Sequence, residues 1–556
     1  MKIKMLKSLT LAAILLIAFG SCEKQLEEYN PSGLTSETVY SNAAGFETLV
    51  NAAYTYSRFW YGKEEGYSVT EMGTDIWTSG TGDVFPQLTQ YNNLQGANTA
   101  ALTLLWANTY AAINLCNTGI TKVAEVTDYT AAQKASSEAQ LRFLRAFYYY
   151  HVVETWGGVN FTTAPTVGVV TTANRTSVDT FYNQIFEDLR FAVANLTPTN
   201  SQYGRATQPA AKAFLARMLL TRGHYDEASA LAIDVIKNYG FTLQPKYADL
   251  WNMGNLKNKE VIWAIDYSTN LLLNDLVTTT NPNGHSRGSN NGHLLFLMVY
   301  DQVAPAVLPR DLNNGRPFNR YMPTLSYLRL FDQSSDSRYA GSFQTLWRAT
   351  VKSKADAPLP HFNVGDTVAY ATTDTIPPAV MASKPYTTYD VTKVYGADQV
   401  PVQRKFYISL SKFKDSTRPS VAEAQSARDA FVMRLGEMYL IAAEAEYKVG
   451  KLDSAAYYLN ILRKRAAIPG KEANMVVAPG DITLDYILDE RARELGGEQL
   501  RWFDLKRTNT LQSRIQKMNP DAAKFYQPFN ILRPIPQNQL DAVTNKNEFV
   551  QNPGYQ

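Results

Sequence analysis

Apolar residues recur at helical spacing in two blocks of the chain, separated by a long stretch without that rhythm. The first block comprises Ser36–Tyr61, Ala100–Val126, Ala131–Glu154, Val178–Leu196 and Pro209–Thr221, where apolar positions three and four apart predict helices with one buried face. The second comprises Ala430–Tyr447, Asp453–Arg465 and Thr483–Leu495. Between them, Phe241 to about Arg428 is rich in Gly, Pro, Asn, Ser and Thr and carries short strand-like runs such as "EVIWAIDY". Little helix is expected there.

Two turns share a chemistry. In "LLTRGHYDEASALA" and "YKVGKLDSAAYYL", Gly223 and Gly450 are followed at plus two by Tyr225 or Leu452, at plus three by Asp226 or Asp453, and at plus five by Ala228 or Ala455. Glycine closes one helix, aspartate opens the next and alanine lets the two pack closely, which is the logic of a tetratricopeptide-like unit. An ordinary helical hairpin is the simpler reading of either turn alone. The two lie too far apart for a uniform solenoid, so the expected fold is mainly α: tetratricopeptide-like helix pairs forming a scaffold, with a large irregular loop-rich insertion containing short strands.

The N-terminus has a different pattern. Lys2, Lys4 and Lys7 precede the apolar run Leu9–Phe19 and the small residues Gly20 and Ser21, which together read as an export signal over residues 1–21. As a helix that run extends about 16 Å, roughly half a bilayer's hydrocarbon thickness, so a permanent transmembrane anchor is the weaker reading. Cleavage before Cys22 would leave the thiol at the new N-terminus, as in bacterial lipoproteins, where several acyl chains hold a protein stably on a membrane. Ordinary secretion with a chance cysteine is the alternative. The other cysteine, Cys116, falls on a helical pattern and reads as a buried thiol. The formal net charge of +3 is matched by the three leader lysines, so the mature chain is neutral, which argues against nucleic acid or an anionic membrane surface as the main partner.

Catalytic motifs are sparse. "GHSRG" at Gly284–Gly288 matches a nucleophile elbow in letters only, because it lies in a Gly/Asn loop without the strand and helix that motif needs. His151, His224, His285, His293 and His361 show no metal-ligand spacing, and His151 falls on an aromatic helix face as a core histidine would. No phosphate loop or dinucleotide fingerprint occurs, so no cofactor or metal is expected. Carboxylates are many, and a glycosidase needs only two held about 5–10 Å apart, so a glycan-active enzyme stands as an alternative. Tyrosine, at 34 residues against 24 phenylalanines, supplies flat apolar faces with polar edges that suit hydroxylated or amide-rich ligands. The loop "GTDIWTSGTGDVFPQLTQYNN" nominates Asp75, Trp77, Phe85, Tyr91 and Asn92 as ligand-binding residues, and the irregular stretch adds Tyr300, Asn314, Tyr321 and Trp347. For each of these aromatics, burial beneath its own loop is the competing reading.

The stretch "DERARELGGEQLRWFDLKRT" is the most distinctive. Glu490, Arg491, Arg493 and Glu494 stand at spacings that favour ion pairs along a helix, and Gly496-Gly497 weakens that helix before Arg501-Trp502-Phe503-Asp504. This stretch resembles the hallmark of the SusD/RagB family, in which an apolar pair usually stands where this chain has Gly496 and Gly497, and a glycine where it has Gln499. "LRFLRAFYYYHVVETWGGVNF", "VMRLGEMYLIAAEAEYKVG", the terminal "RPIPQNQL" and "VQNPGYQ", and the Asp-x-Arg of "SSDSRY" are also similar to family patterns, in the same order.

The resemblance implies a non-catalytic, cell-surface lipoprotein of the outer membrane, anchored through Cys22, that captures oligosaccharides and delivers them to a SusC-like TonB-dependent transporter. A peptide ligand, as in the RagB branch, is the alternative; a glycan-active enzyme and a helical-repeat adaptor are the remaining ones. It further implies a tether at 22–35 and one SusD-like domain over 36–556, divided into a helical part (36–240), an irregular ligand-binding region (241–428) and a second helical part (429–556). Glu23, Glu27 and Glu28 look similar to the signal that sends such lipoproteins to the outer face.

Overall fold

The computed structural model describes residues 39–268, 270 and 290–555. Cys22, the leader, the tether and the Gly284–Gly288 motif lie outside the described residues. The first block forms α1 (Ala43–Thr55), α2 (Glu64–Thr70), α3 (Ala100–Lys122), α4 (Ala131–Trp156), α5 (Val178–Asn195), α6 (Gln208–Thr221) and α7 (Tyr225–Asn238). The second forms α8 (Leu435–Lys448), α9 (Leu452–Ala466), α10 (Leu484–Leu495), α11 (Arg501–Arg507) and α12 (Leu511–Met518). The fold is mainly helical, as the periodicity predicts.

Local chemistry sets the helix starts. Thr130 and Gln133 form a reciprocal capping box on α4, while Ser177, Thr207 and Thr483 cap α5, α6 and α10 through their hydroxyls. From Ala139 to Trp156 only Arg142 escapes burial, because α3 and α5 cover α4 from both sides. Cys116, on α3, is buried in this core. Gly223 and Gly450 both adopt a φ of +79°, the left-handed turn that lets each helix fold back on the last.

From α3 to α9 each helix packs on the next. This includes α7 against α8, so the two matching turns become neighbours although the irregular stretch separates them in sequence. The strands β2 (Val261–Ile265) and β9 (Ala430–Arg434) close the base of that stretch as an antiparallel pair. Here the helix expected from Ala430 begins later, at Leu435: "AFVMR" is buried throughout and pairs along β2, an ambiguity that apolar periodicity alone leaves unresolved. Likewise the helix expected over Ser36–Tyr61 is regular only in α1, which Asn42 caps, and tightens to a 3₁₀ turn at Tyr56–Phe59.

The irregular region packs a second aromatic core beside the helical one. Its strands are short. β1 (Trp77–Ser79) pairs with β3 (Tyr321–Pro323), β4 (Phe343–Gln344) with β8 (Ser409–Leu410), and β6 (Thr367–Ala371) lies between β5 (Leu346–Arg348) and β7 (Thr387–Tyr389).

Candidate functional site

An open groove of about 640 Å³ lies where the loop after β1 meets the end of β7 and the segment Pro401–Phe406. The rings of Tyr389 and Phe406 stack there, with centroids 4.9 Å apart and planes 20° from parallel. Both rings are half-buried. Burial pushes the Tyr389 hydroxyl up to about 12, so it stays a neutral hydrogen-bonding group at ordinary pH. The Gln403 side chain accepts the backbone N–H of Lys405 at 2.9 Å and of Phe406 at 3.0 Å, which fixes the chain carrying the ring. Arg404 donates to the Ser79 carbonyl at 2.7 Å and to both Asp521 carboxylate oxygens at 2.9 Å. Lys405 and Val402 stand exposed at the edge.

The opposite wall is equally fixed. Thr81 donates its N–H to the Asn319 side chain at 2.7 Å, and a Cβ at Gly82 would fall 2.2 Å from the Phe318 carbonyl oxygen, so only glycine lets the loop lie this close. The groove thus joins flat apolar surface to a hydroxyl and cationic groups held on rigid supports, which suits a polyhydroxylated ligand. No carboxylate lines it among the described residues, and glycoside hydrolysis needs two.

The residues nominated from sequence occupy other places. Trp77 is fully buried against Phe296 and Tyr327, and its indole N–H donates to Glu71 at 2.9 Å. Asp75, also fully buried, pairs with Arg501 and Arg514; burial works to raise its pKa, but the two guanidiniums hold it below the usual carboxylate range. Tyr91 donates its hydroxyl to the Gly73 carbonyl, Tyr300 to the Gly315 carbonyl, and Tyr321 shares a 2.5 Å hydrogen bond with Ser68. Trp347 is a core residue of β5. These residues are therefore corrected from ligand platform to framework: an aromatic in a Gly/Thr-rich loop has its face covered whenever a second layer of chain packs on it. Phe85 is half-buried against the helical core, Asn314 is held by Asp311 and Gln344, and Asn92 is exposed. The structure does not bring the nine together.

None of them lines the groove, but Trp77 and Tyr321 belong to the strands that support it. Ser79 pairs with Tyr321 across β1 and β3, and this ladder aims the Gly80–Asp83 loop at the groove. Tyr407, next to Phe406, is buried, and its hydroxyl donates to the Tyr321 carbonyl at 3.2 Å. Sequence reasoning missed Tyr389 and Phe406. The available signal was the run "YDVTKVYGADQVPVQRKF", where two aromatics flank a Gly/Asp turn followed by Gln, Arg and Lys.

Comparison with known proteins covers nearly the whole chain. The sequence profile of the SusD family matches residues 259–555, and a second profile, described as starch-binding associating with outer membrane, matches residues 26–220. The chain belongs to the SusD family. A curated relative, SusD-like protein P2 of Formosa agariphila, is 26% identical over 98% of both chains, and a SusD-like protein of Bacteroides ovatus is 24% identical over 91% of this chain and 83% of its own. Among solved structures, a laminarin binding SusD-like protein superposes with a TM-score of 0.71 at 22% identity, covering 92% of this chain and 100% of that one. The surface glycan-binding protein A from Bacteroides thetaiotaomicron, in complex with laminarihexaose, superposes with a TM-score of 0.68 at 20% identity, covering 92% and 99%.

The SusD hallmark stretch is the frame behind this site. Only the Glu490–Arg493 pair follows the expected spacing along α10. The other charges reach across the fold: Arg434 meets Glu260, Glu494 and Glu498 at 2.7–2.8 Å, and Arg338, from the Asp-x-Arg of the irregular region, is buried among Asp336, Glu490 and Glu494. Gly496 is required by contact, since a Cβ there would lie 2.0 Å from the Tyr327 hydroxyl. Past it, the backbone N–H groups of Gly497 and Leu500 point at Glu71, whose carboxyl burial nonetheless pushes up to about 7. Gln499, the departure from the family pattern, bonds the Trp60 carbonyl at 2.6 Å and the Gly62 N–H at 3.0 Å and so ties the hallmark to the turn before α2.

Other chemistry is limited among the described residues. No three His, Cys, Asp or Glu side chains converge as a metal site would require. Burial drives His151 down to about 3, a neutral ring packed on Trp60 and Phe147. One carboxylate pair stands out: burial raises Asp429 to about 7, helped by a hydrogen bond with Asp266. Two carboxyl groups in direct contact leave no room for a glycosidic bond, which needs them roughly 5–10 Å apart.

Proposed function

We propose that this protein is a non-catalytic glycan-binding protein that holds a neutral oligosaccharide in the groove of Tyr389 and Phe406. The observation that carries the reading is that stacked pair: two rings beside Thr81, Gln403, Arg404 and Lys405, in an open groove on a rigid support. Sugar C–H surface packs on the rings, and the hydroxyls meet the polar edge. Laminarin-type glucans are the first ligands to test, because the similar solved proteins are described as binding laminarin and laminarihexaose. In this reading residues 241–428 are the ligand-binding region, Cys22 carries the lipid that anchors the mature chain to the outer membrane, and a SusC-like TonB-dependent transporter receives the glycan.

The test is calorimetric titration of the mature chain with laminarihexaose, starch-derived oligosaccharides and a set of short peptides. Glycan binding that Phe406→Ala weakens by about 10–100-fold is expected. Binding of peptides alone would replace this reading with the peptide one, and recovery of the lipidated protein from outer membranes without a β-barrel transporter would remove the delivery step.

A further inference from the structure

A second cavity, of about 380 Å³, opens between the C-terminal end of α1, the turn Gln202–Arg205 and the end of β2. Its polar groups are biased. Arg205 is buried and donates to the side-chain oxygens of Gln202 (Nε, 2.9 Å), Gln140 (Nη1, 3.2 Å), Asn51 and Glu47. A guanidinium has only donors, so the amides of Asn51 and Gln202 must turn their oxygens to it and leave their NH2 groups free to donate. Neither NH2 group has a partner among the described residues.

Arg58 adds charge to this donor set. It gives one hydrogen bond, from Nη2 to the Asp266 carbonyl at 2.8 Å, lies over the Tyr267 ring, and forms no ion pair among the described residues. The other charged groups of the lining are already matched: Arg205 pairs with Glu47, and the Asp266 carboxylate has Lys257 at 3.7 Å. One uncompensated cation and two outward amide donors call for a ligand that brings a carboxylate. The Asp266 carboxylate, already in contact with Asp429 and near Lys257, keeps lone pairs that can accept a hydroxyl.

We infer that this cavity is a second binding site, for a monosaccharide-sized sugar acid of the hexuronate class, with its carboxylate on Arg58 and the amides of Asn51 and Gln202 and a ring hydroxyl on Asp266. A free hexuronate and the uronate end of an oligosaccharide present the same chemistry. The site is separate from the groove and does not depend on the groove's ligand.

The experiment is calorimetric titration of the mature chain with glucuronate, galacturonate, a disaccharide ending in glucuronate, and glucose. Saturable binding of a hexuronate or of the uronate-terminated disaccharide is expected, at least about tenfold tighter than glucose, since a charge-assisted hydrogen bond outweighs a neutral one by about that factor. Arg58→Gln should weaken the acid by about tenfold, Arg58→Lys by less, and Gln202→Ala measurably, with unfolding temperature and neutral-glycan binding unchanged. Binding of the monomer distinguishes a free sugar acid from a chain end, which only the disaccharide would report. Glucose binding as tightly as the acids, unaltered binding to Arg58→Gln, or no binding of any acid overturns the inference. Because the neutral glycans are titrated against the same variants, failure here is distinguishable from failure of the groove.

Discussion

Arg434 and Phe406 stand at opposite extremes of this molecule. The guanidinium of Arg434 is 1 % exposed and meets three glutamates; the Phe406 ring is half-buried, stacks on one other ring and lines an open groove. Around Arg434 nearly every donor and acceptor is matched, so the region joins β9, α9, α10 and the irregular stretch in one geometry. Around Phe406 the backbone is fixed by Gln403 and Arg404, while the apolar surface is left uncovered. The difference separates framework from recognition: the charges around Arg434 are consumed internally, and the chemistry of the proposed groove lies on a loop with none of those charges.

The largest expected effect breaks the frame. Arg434→Met leaves Glu260, Glu494 and Glu498 buried without their shared cation and should cost about 3–5 kcal/mol of stability, read from denaturant midpoints, while the folded fraction keeps its glycan affinity.

Next comes acid. Burial opposes the Glu494 charge, yet Arg465, Arg434 and Arg338 hold it at about 2 against an ordinary 4.5, so its contribution is full above pH 4.5 and lost as pH falls through about 2. Glu71 has the opposite sign: raised to about 7, it binds its proton more tightly in the folded state, and its contribution declines as pH rises from 4.5 to 7. Thermal unfolding of Glu494→Gln and Glu71→Gln across pH 2–8 should flatten those two slopes separately. Glycan affinity should stay level from pH 5 to 8, since Tyr389 titrates only near 12.

A smaller effect, confined to the groove, is expected from Phe406→Ala: about 10–100-fold weaker glycan binding, in line with about 1.5–3 kcal/mol for a central aromatic contact, with nearly unchanged acid sensitivity. The smallest is Trp77→Phe, which removes the hydrogen bond to Glu71 and should cost about 1 kcal/mol of stability without touching affinity.

Much of the fold was legible because helices announce themselves locally. The apolar spacing from Ala131 onward and the paired chemistry at Gly223 and Gly450 need only a few consecutive residues to be read. The strand Ala430–Arg434 was not, since its partner Val261–Ile265 is brought to it only by the fold. The groove was harder still. Trp77 and Tyr321 carry the composition of a stacking platform, but β1 and β3 pair and bury them under a second layer, whereas Tyr389 and Phe406, far less conspicuous in sequence, are left at its edge. Whether an aromatic binds ligand or fills a core depends on what else packs on it, and that is a long-range property.

The most direct measurement is therefore a side-by-side laminarihexaose titration of the wild-type chain, Phe406→Ala and Trp77→Phe, each first shown to be folded by its unfolding temperature. Phe406→Ala should lose most of the affinity and Trp77→Phe should retain it. Retained binding in Phe406→Ala together with loss in a folded Trp77→Phe would contradict this expectation, and would return the ligand to the loop that follows α2.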